Sequence, residues 1–268
     1  MHAFSVRHFI YILIAFTAAS CSNYQKLIKS GTPIEKFEAA KKYYKDKDYI
    51  RALPLFEELL GVYYGKKERE EIYYLYAYSY YGNAEYLLAG YHFNNFTQTY
   101  ALSSKREEAT YMSAVCKFKK SMPHELDQTP TNAAINGLQA FINQYPNSVY
   151  VEDCNKKIDE LRSNVLEKVY ESAKLYYSLG YFKSAIVSCT NALDDYPDMI
   201  HRPELSFLIV DAAFQYAENS VTKKQEERYE DTLLKIKYFR KEFGKTGEFA
   251  KEIIKIEEKT STKLAQFK

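Results

Sequence analysis

A small residue recurs four times along this chain with large or apolar residues at fixed offsets behind it, and this constrains the fold more tightly than any other feature. Ala52, Ala89, Ala134 and Ala185 are followed four residues later by Phe56, Phe93, Leu138 and Cys189. Seven residues later come Leu59, Phe96, Phe141 and Ala192. Offsets of four and seven return to one face of an α-helix. Repetition of such a set at intervals of several tens of residues marks stacked helical hairpins, each burying its apolar face against its neighbour. The first unit is written out in Lys41–Leu60, KKYYKDKDYIRALPLFEELL: a helix, a turn around Asp46–Asp48, and a second helix. Near-copies follow at Glu85–Phe96, Thr131–Pro146 and Gly180–Pro197. The expected fold class is all-α, a helical-hairpin repeat superhelix of about five repeats.

Composition agrees. Only 9 Gly and 7 Pro in 268 residues leave few points at which helices must break. Aromatic content is carried by 27 Tyr and 16 Phe with no Trp. Tyr suits half-buried helix faces, because its ring packs while its hydroxyl stays wet. The formal charge of +2 becomes +1 without Arg7, too near neutral for the basic field of a nucleic-acid binder. The positive excess after Leu234, ten Lys/Arg against five Glu, reads as a solvated helix face.

Five hairpins and a cap can be placed along the chain. Thr32 and Pro33 make an N-cap and first turn for the first hairpin, which runs to about Tyr64. Pro54 falls near the start of its second helix, where a missing donor costs least. The second hairpin spans about Glu68–Leu102, with Tyr73, Tyr76 and Tyr80 on one ridge and Tyr74, Tyr78 and Tyr81 on other faces. A helix so aromatic all round is either buried on both sides or presents a binding surface. The third hairpin carries an insertion, Ser121–Thr131, before its second helix. Val149–Leu179 contains no Pro or Gly and reads as one long helical stretch leading into the fourth hairpin. Leu205–Ala217 and Tyr229–Phe243 make the fifth, and Phe249, Ile253 and Ile256 mark a closing amphipathic helix.

Catalytic signatures are missing. Gly61–Lys67 mimics a phosphate loop but is one residue short and lacks the hydroxyl residue after the Lys. His92, His124 and His201 are widely separated, and Cys116, Cys154 and Cys189 match no metal spacing. Glu57-Glu58 and Glu70-Glu71 are adjacent on helices and point apart. No catalytic residue, metal ligand or cofactor is expected, and the chain reads as a binding protein rather than an enzyme. A Cys116–Cys154 disulfide stays open at this stage.

The first 20 residues have a different character. Arg7 and His8 precede the apolar run Phe9–Ala19, which is too short for a membrane span of roughly 20 residues and has the size of a secretory h-region. Ala18-Ala19-Ser20-Cys21 resembles the bacterial lipobox, whose Cys becomes the lipidated first residue of the mature protein. Ordinary cleavage after Ala18 or Ser20, leaving a free thiol, is the alternative. The lipobox resemblance implies a signal peptide at 1–20 and a lipidated polar tether at 21–31, and the hairpin pattern divides the rest into N-terminal repeats at 32–147 and C-terminal repeats with a capping helix at 148–268. Ser22 in place of the Asp that retains many lipoproteins implies the periplasmic leaflet of the outer membrane.

The small-large pattern resembles the tetratricopeptide repeat, with its usual period of about 34 residues stretched. DQTPTNAAINGLQAFINQYPNSVYVEDC and VYESAKLYYSLGYFKSAIVSCTNALDDYPD, in that order behind a lipobox, resemble the central segments of the BamD family. Cys189 stands where that family often has Arg. The resemblance implies a scaffold of the outer-membrane β-barrel assembly machinery, with unfolded barrel precursors and the membrane-embedded BamA-type catalyst as partners. Precursors would meet the N-terminal hairpins and the catalyst the C-terminal ones. On that reading Tyr43, Tyr73, Tyr76 and Tyr80 line a substrate groove. The competing expectation is a nutrient- or glycan-binding repeat lipoprotein, against which the lack of Trp counts.

Overall fold

A computed structural model describes residues 23–267. After a helical stretch at 23–30, eleven helices follow in order among the described residues: α1 (Pro33–Lys45), α2 (Tyr49–Val62), α3 (Glu68–Gly82), α4 (Tyr86–Thr99), α5 (Arg106–Phe118), α6 (Thr129–Gln144), α7 (Val151–Ser178), α8 (Phe182–Asp195), α9 (Arg202–Glu218), α10 (Thr222–Phe243) and α11 (Ala250–Leu264). Successive pairs from α1/α2 to α9/α10 are the five hairpins, the α7/α8 pair joined through Tyr170 and Ala173 in one core with Cys189 and Ala192, and α11 packs on α9 and α10. The fold is all-α and tetratricopeptide-like. The chain divides into two compact units. One holds the described residues up to Met122 with Gln128–Leu161; the other holds Pro123–Asp127 and the residues from Arg162 on.

The twelve aligned small and large positions are all buried, from Ala52 at 0% exposure to Ala192 at 3%. Each set forms part of a local core. Ala52, Phe56 and Leu59 join Ala40, Ile72 and Tyr76. Ala89, Phe93 and Phe96 join Ala77, Ala109 and Met112. In the second unit Cys189 and Ala192 pack with Tyr170, Ala173 and Leu205. The closing helix seats Ile253 and Ile256 against Val210, Tyr229 and Ile236.

Local signals set the helix ends. Thr32 and Glu35 form a reciprocal capping box ahead of α1: the Thr32 N–H donates to Glu35 at 2.8 Å and the Glu35 N–H donates to Thr32 Oγ1 at 3.2 Å. The turns inside three hairpins share one device. Lys47, Ala84 and Gly180 each lie five residues before the aligned Ala and each adopts positive φ, at 60°, 60° and 75°. The next N–H then reaches back to Tyr43, Tyr80 and Tyr176 carbonyls at 2.8, 3.0 and 3.0 Å, the closing bond of a Schellman turn. In the third hairpin the 121–128 insertion replaces this turn.

Two details differ from expectation. Pro54 is six residues into α2, so the Ile50 carbonyl loses its helical donor; Pro54 is exposed, so water can replace the lost bond. Residues 23–30, polar in composition, are helical and pack on α1 and α2. Tyr24 Oη donates to the Arg51 carbonyl at 3.0 Å, and Leu27 and Ile28 join the first core. Three apolar side chains on one face suffice to dock so short a helix, whereas composition averaged over the stretch conceals them.

Candidate functional site

The tyrosine-rich helix α3 sorts its rings onto two faces. Tyr74, Tyr78 and Tyr81 turn toward α4 and α5, where Tyr78 meets Phe93 at 4.9 Å and Tyr81 meets Tyr86 at 5.5 Å. These rings are packing. Tyr73, Tyr76 and Tyr80, at i, i+3 and i+7, form the other ridge and converge on His92 of α4. Tyr80 stacks on the imidazole at 5.1 Å and 13°, while Tyr76 and Tyr73 approach it at 4.8 and 5.8 Å. Tyr91 closes the ring from the outside at 5.2 Å.

Burial separates the members. Tyr76 is only 5% exposed and forms the floor, with its hydroxyl 3.0 Å from that of Tyr80. Tyr73, Tyr80 and His92 are half-buried walls, and Tyr91 is 60% exposed. Tyr91 also borders a groove of about 390 Å³ between α4 and α5, lined by Leu87, Gly90, Asn94, Lys117 and Lys120. Tyr43 belongs to the same core but has other ring neighbours. Tyr24 meets it edge-on at 5.7 Å, and the Arg51 guanidinium lies 5.8 Å from both rings. Three of the four expected groove residues are therefore brought together, and Tyr43 keeps separate company.

The cluster is electrically quiet near neutral pH. Burial pushes the Tyr73 hydroxyl up, and burial followed by the Tyr80 hydrogen bond pushes up that of Tyr76. Burial also pulls the His92 imidazole below its ordinary value, favouring the neutral ring. Its Nδ1 lies 3.4 Å from Tyr73 Oη. Stacked neutral rings with hydroxyls at their rims suit adaptable recognition of extended, mixed-polarity segments. His92 and Tyr91 were not legible as members from spacing. The available signal was their position two and three residues past Ala89, beside the buried Phe93.

Among the described residues no group of His, Cys, Asp and Glu is placed to hold a metal ion. Cys116, Cys154 and Cys189 are free and buried. Burial raises their thiols to about 12, 11 and 12. Cys21 lies outside the described residues. No described helix is long and apolar enough to cross a membrane.

The sequence profile of the YfiO family, described as outer membrane lipoprotein, matches residues 29–233. This chain belongs to that family. The match runs from the helix before α1 into α10, so all four aligned alanines fall within YfiO. A YfiO relative, the outer membrane protein assembly factor BamD of Caulobacter vibrioides, is 24% identical over 218 residues, covering 80% of this chain and 71% of its own. The chain is thus of the BamD type. Among solved structures, the yeast Sti1 TPR2AB domain in its pHSP90 complex is similar at a TM-score of 0.39 and 13% identity, over 85% of this chain and 98% of that one. The P58(IPK) TPR domain is similar at 0.41 and 15% identity, over 91% and 68%.

Proposed function

We propose that this protein is a non-enzymatic scaffold of the outer-membrane β-barrel assembly machinery. Residues 1–20 act as its signal peptide, and Cys21 carries the lipid that holds it on the periplasmic face of the outer membrane. The family match across 29–233 carries this reading, supported by the assembly-factor relative. The N-terminal repeats, 32–147, receive unfolded barrel precursors. The aromatic cluster of Tyr73, Tyr80 and Tyr91 around His92, with Tyr43 further along the same hairpins, supplies the contacts. The C-terminal repeats, 148–268, dock the membrane-embedded, BamA-type catalyst.

Affinity purification of the chain from native membranes in mild detergent tests the assignment. Co-purification of the catalyst, with a fall in barrel proteins on depletion, is the expected result. Recovery without the catalyst and with unchanged barrel levels would end the proposal. For the cluster, Tyr73→Ala with Tyr91→Ala should weaken binding of a denatured barrel precursor several-fold while leaving catalyst capture intact. Cys21→Ala should move the protein from the membrane to the periplasmic fraction.

A further inference from the structure

The docked helix at 23–30 fixes which end of the first hairpin the preceding chain leaves from. Tyr24 is fixed at both its ring and its hydroxyl: its Oη donates to the Arg51 carbonyl at 3.0 Å, and its ring meets Tyr43 at 5.7 Å. The helix therefore runs back along α1 and starts beside the α1–α2 turn. Cys21 is three residues from Tyr24. At no more than 3.3–3.6 Å per residue, its Cα is within roughly 11 Å of that of Tyr24, whatever the intervening conformation. Lipid on Cys21 thus leaves little slack between the acyl chains and this tip of the hairpin.

The chemistry of the tip matches that position. Residues 23–51 hold eight Lys/Arg against four Asp/Glu, whereas the rest of the chain holds 29 against 31. Lys42, Lys45 and Lys47 are exposed at the tip and form no ion pair among the described residues. The acidic residues beside them are Asp46, which is exposed, and Asp48, which is occupied by Arg51 and by capping α2. Ile50, next along, is 73% exposed, an apolar side chain among cations. A cationic rim around an exposed aliphatic residue suits the boundary between phosphate headgroups and acyl chains.

We propose that the α1–α2 turn, through Lys42, Lys45, Lys47 and Ile50, rests on anionic phospholipid headgroups and holds the first hairpin against the membrane. This rests on lipidation of Cys21. The surface contact adds a second attachment to the acyl anchor and fixes the orientation of the precursor-binding hairpins. Each lysine should contribute roughly fivefold to attachment on an anionic surface, falling with salt.

The test uses the full lipidated chain in vesicles of phosphatidylethanolamine and phosphatidylglycerol. A fluorophore is placed by Lys47→Cys or, at a control position in the same unit, Leu102→Cys, the native thiols being buried. A headgroup-bound quencher should quench the label at 47 several-fold more than that at 102. Lys42→Gln with Lys45→Gln, 0.5 M salt, or phosphatidylcholine vesicles should each reduce the difference. Equal quenching at both positions in vesicle-bound chain overturns the surface contact and leaves the anchor standing. Loss of a protein partner in the Lys→Gln variant with unchanged quenching makes the tip a protein contact instead. An N-terminal peptide without acyl mass overturns both the anchor and the contact.

Discussion

Tyr78 donates its phenolic hydrogen to Glu108 Oε1 at 2.5 Å, joining the first helix of one hairpin to the first helix of the next. The relationship recurs. Tyr111 donates to Asp153 at 2.5 Å, Tyr170 to Glu204 at 2.7 Å, and Tyr177 to Asp211. The last two pairs are each separated by 34 residues, one standard repeat. A phenol half-buried between helices needs an acceptor, and a carboxylate one repeat on provides a charge-assisted bond. Four of the 27 tyrosines thereby serve as inter-repeat stitches.

Tyr78→Phe keeps the ring against Phe93 and removes the donor to a partly buried carboxylate. It should cost about 1–3 kcal/mol in urea denaturation. In a double-mutant cycle with Glu108→Gln the two effects should be strongly non-additive. Additive losses would mean the bond contributes nothing of its own.

Alkaline pH should unfold this protein sharply. Burial, aided by neighbouring carboxylates, raises the hydroxyls of Tyr78, Tyr111, Tyr177 and Tyr229. A raised folded-state value gives stability that is complete below the unfolded value of about 10 and drains away as pH climbs through the folded one. Melting temperature should therefore fall steeply above about pH 10. Tyrosinate absorbance should rise together with loss of helical circular dichroism. Full ionisation of all tyrosines in a chain that stays helical would contradict the burial argument.

The three left-handed turn positions are unequal in strain. Gly180 adopts its φ freely, while Lys47 and Ala84 carry side chains in a region that costs L-residues about 1–2 kcal/mol. Ala84→Gly should stabilise by about 0.5–1 kcal/mol after the extra unfolded-state entropy is deducted. Gly180→Ala should destabilise by a similar amount. Thermal melts of the two variants should shift in opposite directions.

Two helical glycines make another opposed pair. A Cβ on Gly82 would sit 2.2 Å from the Tyr49 ring, which is itself held against Tyr44, whereas one on Gly61 would meet nothing within 4 Å. Gly61→Ala should stabilise by about 0.5–1 kcal/mol through helix propensity. Gly82→Ala should cost about 1–3 kcal/mol by overpacking. Chemical denaturation midpoints check both signs.

The hairpins themselves were readable because burial on a helix repeats locally. Ala52, Phe56 and Leu59 lie within two turns of one another, so their spacing announces the face they bury. Its successors repeat the pattern closely enough to confirm it. The capping box at Thr32 and Glu35 was half visible for the same reason: Thr32 and Pro33 signalled the start, since a helix terminus draws its partners from a few residues away. By resemblance, the order of the repeat segments pointed to the family.

Only the tertiary structure decided what the tyrosines do. Spacing put Tyr73, Tyr76 and Tyr80 on one ridge, and the family resemblance grouped them with Tyr43 as one expected groove. Packing buried Tyr76 beneath the others, recruited His92 and Tyr91 from α4, and paired Tyr43 with Tyr24 and Arg51. The Tyr78–Glu108 stitch and its successors join residues 30 or more positions apart, and no local period encodes which carboxylate a phenol will meet. Docking of residues 23–30 is likewise a matter of three side chains, Tyr24, Leu27 and Ile28, packing on the two helices that follow, which the composition of the stretch does not announce. Short-range periodicity determined which faces are buried; the stacking of one hairpin on the next determined which partners those faces found.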